Sequence, residues 1–258
     1  MLAGLICTVQ GWPKFSAAHV LGELAMDLVM ARAERALEVL READALAVEG
    51  SVSLATSLSA EDMVITDLIA RHNLRIGLFT IDTGMLHAET LAMIVAVKVR
   101  YGLAVRVVRP DPATVKALLS RQSAYAFYES LEARHACCHV RKVIPLEEAL
   151  RQHVGWVTGQ RRDAAASRSA LEEIENDAVR GIAKFNPLAG WSFNDVMAYS
   201  GRRQLPISPL YDRGYRSIGC EPCTRALKPG EDIRAGRWWW EQGSASKECG
   251  LHVAEAHA

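Results

Sequence analysis

Cysteines are the residues whose type and spacing in this 258-residue chain are best suited to chemistry. Four of the six form two close pairs, Cys137-Cys138 and Cys220-x-x-Cys223. Thiolates from two distant segments can enclose one metal ion or cluster, since a CxxC turn directs two sulfurs at one site. The spacing fits a four-cysteine zinc site and a [4Fe–4S] cluster about equally well. Two disulfides are a distant third interpretation for a protein with a cytosolic pattern of cysteines.

Another cysteine, Cys249, stands alone near the C-terminus in the run Lys247-Glu248-Cys249-Gly250-Leu251-His252. A cysteine on a Gly-flanked tail can swing into a site and out again. Lys247 and His252 could stabilise its thiolate, which is the nucleophilic form. Taken alone, the motif is explained at least as well by an incidental surface thiol. Cys7 has no obvious partner, and we interpret it as a partly buried thiol.

Two polar loops follow apolar runs and are candidates for binding a nucleotide. The first, Ser57-Leu58-Ser59-Ala60-Glu61-Asp62, opens a helical pattern and could present backbone N–H groups to an anion. An ordinary N-cap with acidic first-turn residues explains it equally well. The second, Asp82-Thr83-Gly84, could meet a ribose or a base edge, although a turn capped by Asp82 is the simpler interpretation.

Basic residues also gather near the polar loops and the cysteine pairs. In a chain whose formal net charge is zero, such a local concentration suggests an anion pocket, although any one residue could instead belong to a solvated face. The candidates are Lys142, Arg161, Arg162, Arg168, Arg234 and Arg237.

Short apolar runs alternate with helical segments from about residue 51, which predicts a parallel sheet with right-handed crossovers. We therefore expect an α/β fold, Rossmann-like, with helices on both faces of the sheet. Ligands in such sheets bind beyond the carboxyl ends of the strands, here around Ser57, Asp82 and Gly159. The predicted strands are 52–58, 75–82, 104–110 and 154–160.

The chain divides by composition into three predicted parts. Residues 1–48 carry an amphipathic helix or helix pair that packs on the domain or on a partner subunit, so a homo-oligomer is possible. Residues 49–240 form the α/β domain, with a short helix near 193–199 and Ser192 as its N-cap. Residues 241–258 are expected to form a mobile tail that carries Cys249.

Composition and charge narrow the classes of function. A formal net charge of zero argues against broad nucleic-acid binding. The sequence contains no run of about 18 uncharged apolar residues, so we do not expect a transmembrane helix. The first residues lack a basic stretch before their short apolar run, so we expect a cytoplasmic protein without a signal peptide.

Taken together, these motifs resemble the assimilatory adenylyl-sulfate reductases, which belong to the phosphoadenylyl-sulfate reductase group with an adenine nucleotide α-hydrolase-like fold. The resemblance runs over about residues 50–253 in the order of that family. The combination of CC, CxxC and ECGLH is the most specific part. The matching stretches are SLSAEDMV, TIDTGMLHAETL, CCHVRKVIPL, TGQRRDAAASR, NPLAGWSFNDVMAYS, PLYDRGYRSIGCEPCTR, GEDIRAGRWWWE and KECGLH.

The resemblance implies a chemistry for these residues. Cys137, Cys138, Cys220 and Cys223 would hold a [4Fe–4S] cluster, with zinc a minor alternative. The Cys249 thiolate would attack the sulfur of adenosine 5′-phosphosulfate, release AMP and leave an S-sulfocysteine, with His252 assisting. Thioredoxin or glutaredoxin would then free sulfite for cysteine biosynthesis.

The same resemblance implies roles for the remaining candidates. Lys142 would couple the cluster to the substrate and stabilise the leaving AMP. The expected substrate-binding residues are Ser57, Ser59, Glu61, Asp62, Asp82, Thr83, Gly84, Arg161, Arg162, Arg168, Arg234 and Arg237.

Other functions stay open at this stage. A reductase of the 3′-phosphorylated nucleotide, or one that accepts both nucleotides, is the nearest alternative. A tRNA-thiolating enzyme on the same fold would need a basic surface, which the neutral charge disfavours. The remaining alternative is a nucleotide-binding regulator that is stabilised by a zinc site and catalyses no reaction. It would assign no role to Cys249.

Overall fold

The structure, a computed structural model, describes residues 17–241. Its centre is one six-stranded sheet with the strand order β3-β2-β1-β4-β6-β5. Within the described part of the chain, no helix has both the length and the apolar character that a membrane span needs. The helices are α1 Ala17–Leu46, α2 Ala60–Arg71, α3 Ala88–Tyr101, α4 Pro112–Arg121, α5 Leu131–Cys138, α6 Ile144–Leu150 and α7 Phe193–Arg203. The strands are β1 Ser51–Ala55, β2 Gly77–Ile81, β3 Val105–Val108, β4 His153–Val157, β5 Ile174–Asp177 and β6 Ile182–Phe185.

The central strands pair in parallel, as the strand–helix alternation predicts. Leu54 of β1 lies opposite Leu78 of β2 on one side and Val157 of β4 on the other. The chain moves outward from β1 through β2 to β3, and then returns to place β4 on the opposite side of β1. The carboxyl ends of β1 and β4 therefore border the topological switch point, where sheets of this type bind ligands.

Helices cover both faces of the sheet, so the predicted α/β architecture is confirmed. Strand side chains alternate between the faces. Leu54 and Val157 pack in a core with residues of α1, α2, α3 and α7. Phe79 and Trp156 point to the other face and pack against α6.

The N-terminal region contributes to this core through a single long helix, α1. Ala36, Val39 and Leu40 of α1 are fully buried. At the rim of α1, Arg35 contacts Glu173 at 2.7 Å. Exposed ion pairs of this kind contribute little to stability. Burial of the apolar stripe therefore holds α1 in place.

A hairpin of β5 and β6 completes the sheet, and the sequence patterns did not predict it. β5 reads Ile174-Glu175-Asn176-Asp177 and pairs antiparallel with β6 at the sheet edge. Its polar composition suits an edge strand but carries no apolar alternation. Asp177 accepts hydrogen bonds from the amides of Val179 and Arg180 and so closes the turn.

The predicted short helix after residue 190 is confirmed as α7, and Ser192 is its N-cap. The Ser192 hydroxyl accepts a hydrogen bond from the Asp195 amide at 3.1 Å. The Asp195 carboxylate accepts one from the Ser192 amide at 2.7 Å. This reciprocal capping box satisfies two N–H groups that the helix itself leaves unpaired.

Candidate functional site

A cavity of about 230 Å³ lies at the carboxyl ends of the central strands. Phe79, Leu146 and Trp156 form an apolar part of its wall. Residues 216–219, Ile233, Arg234 and Arg237 line it as well. An apolar wall beside polar loops suits a ligand with a flat base and a charged end.

Asp62 organises the loop between β1 and α2. Its carboxylate accepts hydrogen bonds from the Ser57 amide at 2.6 Å and the Ser57 hydroxyl at 2.8 Å. Burial raises the pKa of Asp62 to about 6, although the bonds from Ser57 favour the charged form. Ser57, Ser59, Glu61 and Asp62 all line the cavity.

The amides of this loop are largely satisfied inside the protein. The Leu58 amide donates to the Thr56 hydroxyl at 2.9 Å. The Ala60 amide donates to the Tyr211 hydroxyl at 2.9 Å. With the Ser57 amide bound to Asp62, three amides of the loop are not available to an anion, so side chains become more important for binding one.

Arg161 lines the cavity but is already paired with carboxylates. It is 1% exposed, and its guanidinium contacts Glu61 at 2.9 Å. A second ion pair joins it to Asp163. This arrangement ties the loop after β4 to α2. Arg162 donates to the Leu171 carbonyl at 2.7 Å and does not line the cavity.

The cavity is nonetheless strongly cationic. Six basic residues line it against two carboxylates, Glu61 and Asp62. The sequence patterns identified five of the six but missed Arg216, which lies in an irregular segment with no strand or helix to place it. The six are Lys142, Arg161, Arg168, Arg216, Arg234 and Arg237.

In the loop after β2, Thr83 faces the cavity, whereas Asp82 and Gly84 do not line it. The Asp82 carboxylate accepts a hydrogen bond from the Gly84 amide at 3.0 Å and contacts Arg109 at 3.1 Å. Gly84 has φ +73°, a conformation that favours glycine. Asp82 and Gly84 therefore shape the turn that presents Thr83.

The four predicted cysteines come together beside this turn. Cys138, Cys220 and Cys223 are buried and Cys137 is partly buried, in an apolar cluster with Phe127 and Trp238. Within residues 17–241, no group of three or more His, Cys, Asp or Glu side chains has the arrangement of a single-ion site. The four thiols are free cysteines.

Burial, together with the neighbouring Cys220, raises the pKa of the Cys223 thiol to about 12. The charges of Lys142 and Arg237 act in the opposite direction. An apolar set of thiols next to cations can hold a metal group, because binding replaces the protons that burial retains. The donor set therefore fits a thiolate-bound group.

A short π-helix, His139–Val143, joins the thiols to the cavity. Arg141 on this turn donates to the Thr83 carbonyl at 2.8 Å. The Thr83 hydroxyl lies 3.2 Å from the Cys220 sulfur. Lys142, the next residue on the same turn, lines the cavity. π-Helical turns are rare and are frequent at functional sites.

Four residues singled out from the sequence, Cys7, Lys247, Cys249 and His252, lie outside the described residues. Their predicted roles stay predictions.

The fold and the site define a nucleotide-binding type of α/β protein. Its cationic cavity lies at the switch point of a parallel sheet, next to a set of buried thiols.

Comparison with known proteins places the chain in a family. Residues 51–226 match the family described as the phosphoadenosine phosphosulfate reductase domain. An adenosine 5′-phosphosulfate reductase of Burkholderia cepacia is 52% identical over 202 residues, which is 78% of this chain and 80% of the relative. Its counterpart from Allochromatium vinosum is 46% identical over 236 residues, 90% of each chain. The chain belongs to the phosphoadenosine phosphosulfate reductase family.

Solved structures agree with the fold. The crystal structure of phosphoadenylyl-sulfate reductase from Candida auris, a phosphate complex, has a TM-score of 0.61 at 24% identity. The match covers 82% of this chain and 98% of that one. FMN adenylyltransferase from Candida glabrata matches with a TM-score of 0.50 at 15% identity, over 82% of this chain and 74% of that one.

We expect Gly159→Ala to weaken AMP binding and to lower the stability of the protein. A Cβ at this position would lie 2.3 Å from the Asp62 carboxylate and 3.1 Å from the Glu61 Cβ. Overpacking of this kind costs about 1–3 kcal/mol. Calorimetric AMP titration and thermal unfolding measure the two effects.

Gly201→Ala is the matched control for this substitution. It lies in α7, and a Cβ there meets nothing within 4 Å. This variant should bind AMP normally and unfold at the same or a slightly higher temperature. Normal AMP binding by Gly159→Ala would show that the loop tolerates the added carbon.

Proposed function

We propose that this protein reduces adenosine 5′-phosphosulfate to sulfite and AMP, in assimilatory sulfate reduction. The observation that carries the proposal is a cationic cavity that is lined by the switch-point loops and connected through Thr83 to the adjacent cluster of buried thiols. Curated relatives named adenosine 5′-phosphosulfate reductase support the substrate. We place the reaction in the cytoplasm, where thiols of this kind stay reduced.

The cavity meets the first requirement of the reaction, which is to neutralise the substrate. A phosphosulfate carries negative charge on both groups and repels an approaching thiolate. An excess of four basic residues over carboxylates lowers that repulsion. The effect is strongest in a site from which water is largely excluded.

The nucleophile in this proposal is the Cys249 thiolate, as the sequence resemblance implies. The thiolate attacks the sulfate sulfur, a sulfur–sulfur bond forms, and the bond from sulfur to the bridging oxygen breaks. That oxygen leaves on AMP with its electron pair, and the enzyme keeps an S-sulfocysteine. His252 would position the tail or stabilise its thiolate.

A reduced dithiol protein completes the cycle. One thiolate of thioredoxin, or of glutaredoxin, attacks the cysteine sulfur of the S-sulfocysteine and displaces sulfite. This attack forms a mixed disulfide between Cys249 and the reductant. The second thiol of the reductant then attacks the mixed disulfide and releases Cys249. The result is a free Cys249 thiol and an oxidised dithiol. Two electrons from the dithiol balance the reduction.

Cys137, Cys138, Cys220 and Cys223 are the residues that would hold a [4Fe–4S] cluster. Their shared apolar environment and the nearby cations Lys142 and Arg237 support this assignment. When bound, the cluster would supply a local charge and cross-link the segments around Cys138 and Cys220. The dithiol supplies the electrons, so none need come from the cluster.

Lys142 is the residue that we expect to act on the leaving group. It lies on the π-helical turn directly after the first cysteine pair and lines the cavity. Its charge would stabilise the oxygen of AMP as the bond to sulfur breaks.

Sulfite release is the direct test of the proposed function. The purified protein is incubated with adenosine 5′-phosphosulfate or with its 3′-phosphorylated form, with and without reduced thioredoxin. We expect thioredoxin-dependent sulfite from the first nucleotide, with a lower kcat/KM for the second. No sulfite from either nucleotide would contradict the proposal.

Cys249→Ser should abolish turnover while AMP binding and the visible absorption spectrum stay unchanged. The hydroxyl is a far weaker nucleophile than a thiolate near neutral pH. Labelled sulfur should transfer to the wild-type protein and not to the variant. Near-normal sulfite production by the variant would show that Cys249 is not the nucleophile.

Replacing any one of Cys137, Cys138, Cys220 or Cys223 with Ala should reduce the iron content and lower the unfolding temperature. The loop after residue 205 has little regular structure, so loss of a cross-link there should be costly. Cys7→Ala is the control and should keep its iron. If all four variants retain wild-type iron, the cluster assignment is wrong.

Lys142→Ala should slow transfer of labelled sulfur to Cys249 more than it weakens AMP binding, because stabilisation of the departing charge affects only the chemical step. The expected loss in the single-turnover rate is on the order of 10²-fold. Lys116→Ala, an exposed lysine on α4, is the matched control. A Lys142→Ala rate within about threefold of wild type would remove Lys142 from the mechanism.

A further inference from the structure

Arg216 is a cation of the cavity that neither the motifs nor the proposed mechanism uses. It is partly buried, and one nitrogen of its guanidinium, Nη1, donates to two backbone carbonyls. The distances are 3.0 Å to the Tyr211 carbonyl and 3.2 Å to the Tyr215 carbonyl. The backbone of its own turn therefore anchors the side chain from one edge.

An aromatic ring supports the guanidinium near the switch point. Its central carbon lies 5.5 Å from the centroid of the Phe193 ring, and that of Arg161 lies 5.9 Å from the same centroid. Tyr211, whose carbonyl anchors Arg216, also accepts a hydrogen bond from the Ala60 amide through its hydroxyl. These contacts place Arg216 beside the loops that follow β1 and β4.

The charge of Arg216 is not neutralised by the described part of the protein. Arg161, on the same ring, pairs with Glu61 and Asp163. Arg216 contacts no carboxylate among residues 17–241, and its Nε and Nη2 groups have no hydrogen-bond partner there. An anchored guanidinium with an unused edge is well suited to bind a phosphate oxygen.

We propose that Arg216 binds the 5′-phosphate of the adenine nucleotide. The inference rests on the proposed function for the identity of the ligand. The loop amides of Ser57, Leu58 and Ala60 already have partners inside the protein. These three amides are therefore not available to the phosphate, and side chains have to supply much of its binding. Arg216 lies at the switch point and contacts no carboxylate among the described residues.

The position of Arg216 distinguishes it from the cations beside the thiols. Lys142 lies on the π-helical turn that follows Cys138, and the guanidinium of Arg237 lies 4.5 Å from the ring of Trp238 in the thiol cluster, so both lie toward the thiol end of the cavity. Arg216 lies toward Phe193 and the β1–β4 loops. The 5′-phosphate is present in both the substrate and AMP, so Arg216 contributes to binding in the ground state and the transition state alike. Such uniform binding affects KM and leaves kcat nearly unchanged.

The test measures AMP and adenosine binding to the holoenzyme by calorimetry. Arg216→Gln should weaken AMP about ten- to hundredfold, the range expected for a charged hydrogen bond, and leave adenosine within about twofold. The KM for adenosine 5′-phosphosulfate should rise by a similar factor, with kcat within about threefold. Arg216→Lys should bind AMP more tightly than Arg216→Gln and less tightly than the wild type, because lysine keeps the positive charge but lacks the two parallel N–H donors of a guanidinium.

Arg213→Gln is the matched control. Arg213 is an exposed arginine three residues earlier, it contacts Glu89 at 2.5 Å, and it does not line the cavity. This variant should bind AMP as the wild type does.

Three results would overturn the proposal. They are unchanged AMP affinity in Arg216→Gln, an equal loss of AMP and adenosine affinity, and a loss confined to nucleotides with a 3′-phosphate. AMP binding does not require turnover, so the two proposals fail separately. A protein that binds AMP through Arg216 but forms no sulfite would contradict the proposed function alone.

Discussion

The parallel pairing of β1 with β4 is the constraint on which the rest of the site depends. Leu54 lies opposite Val157, so the two strands end side by side and their following loops share one crevice. The connection after β1 leads to β2 on one side of the sheet, and the connection after β4 leads to β5 and β6 on the other side. A crevice therefore remains between the ends of the two strands. Asp62 and Arg161 then fix the two loops from opposite sides of that crevice.

Charge is distributed unevenly around this crevice, and the distribution explains how one cavity can hold a doubly charged ligand. The arginine that is most deeply buried, Arg161, has two carboxylate partners, as expected where an unpaired charge would be most costly. Two other arginines of the cavity, Arg216 and Arg237, contact backbone carbonyls and aromatic rings instead. Those weaker partners leave more of each charge for an incoming anion.

The sequence was sufficient to predict the helices and strands whose apolar residues recur with a clear period. The apolar runs predicted the strands β1 to β4, and Ser192 marked the start of α7. The hairpin of β5 and β6 was missed because four polar-rich residues at a sheet edge resemble a loop. The strand predictions also ran several residues too far, since Ser57 and Leu58 leave the sheet and form hydrogen bonds within their own loop.

For the site, residue type indicated the chemistry but not the partners of each side chain. The four cysteines lie in or against one apolar cluster, although they come from two distant segments. That Arg161 is neutralised, and that Asp82 pairs with Arg109, depends on residues brought close only by the fold. Arg216 carried no periodic signal, because an irregular segment places it and a distant ring, Phe193, supports it.

The separation of the two cysteine pairs has a consequence for how the molecule is made. Cys137 and Cys138 leave the ribosome before β4, β5, β6 and α7, and Cys220 follows all of these elements. The thiols therefore converge only after the second half of the sheet has added to the first. Contacts between such distant segments form late, since closing a long loop must precede them. Any group held by all four thiols could therefore be enclosed only after β4, β5, β6 and α7 have been synthesised.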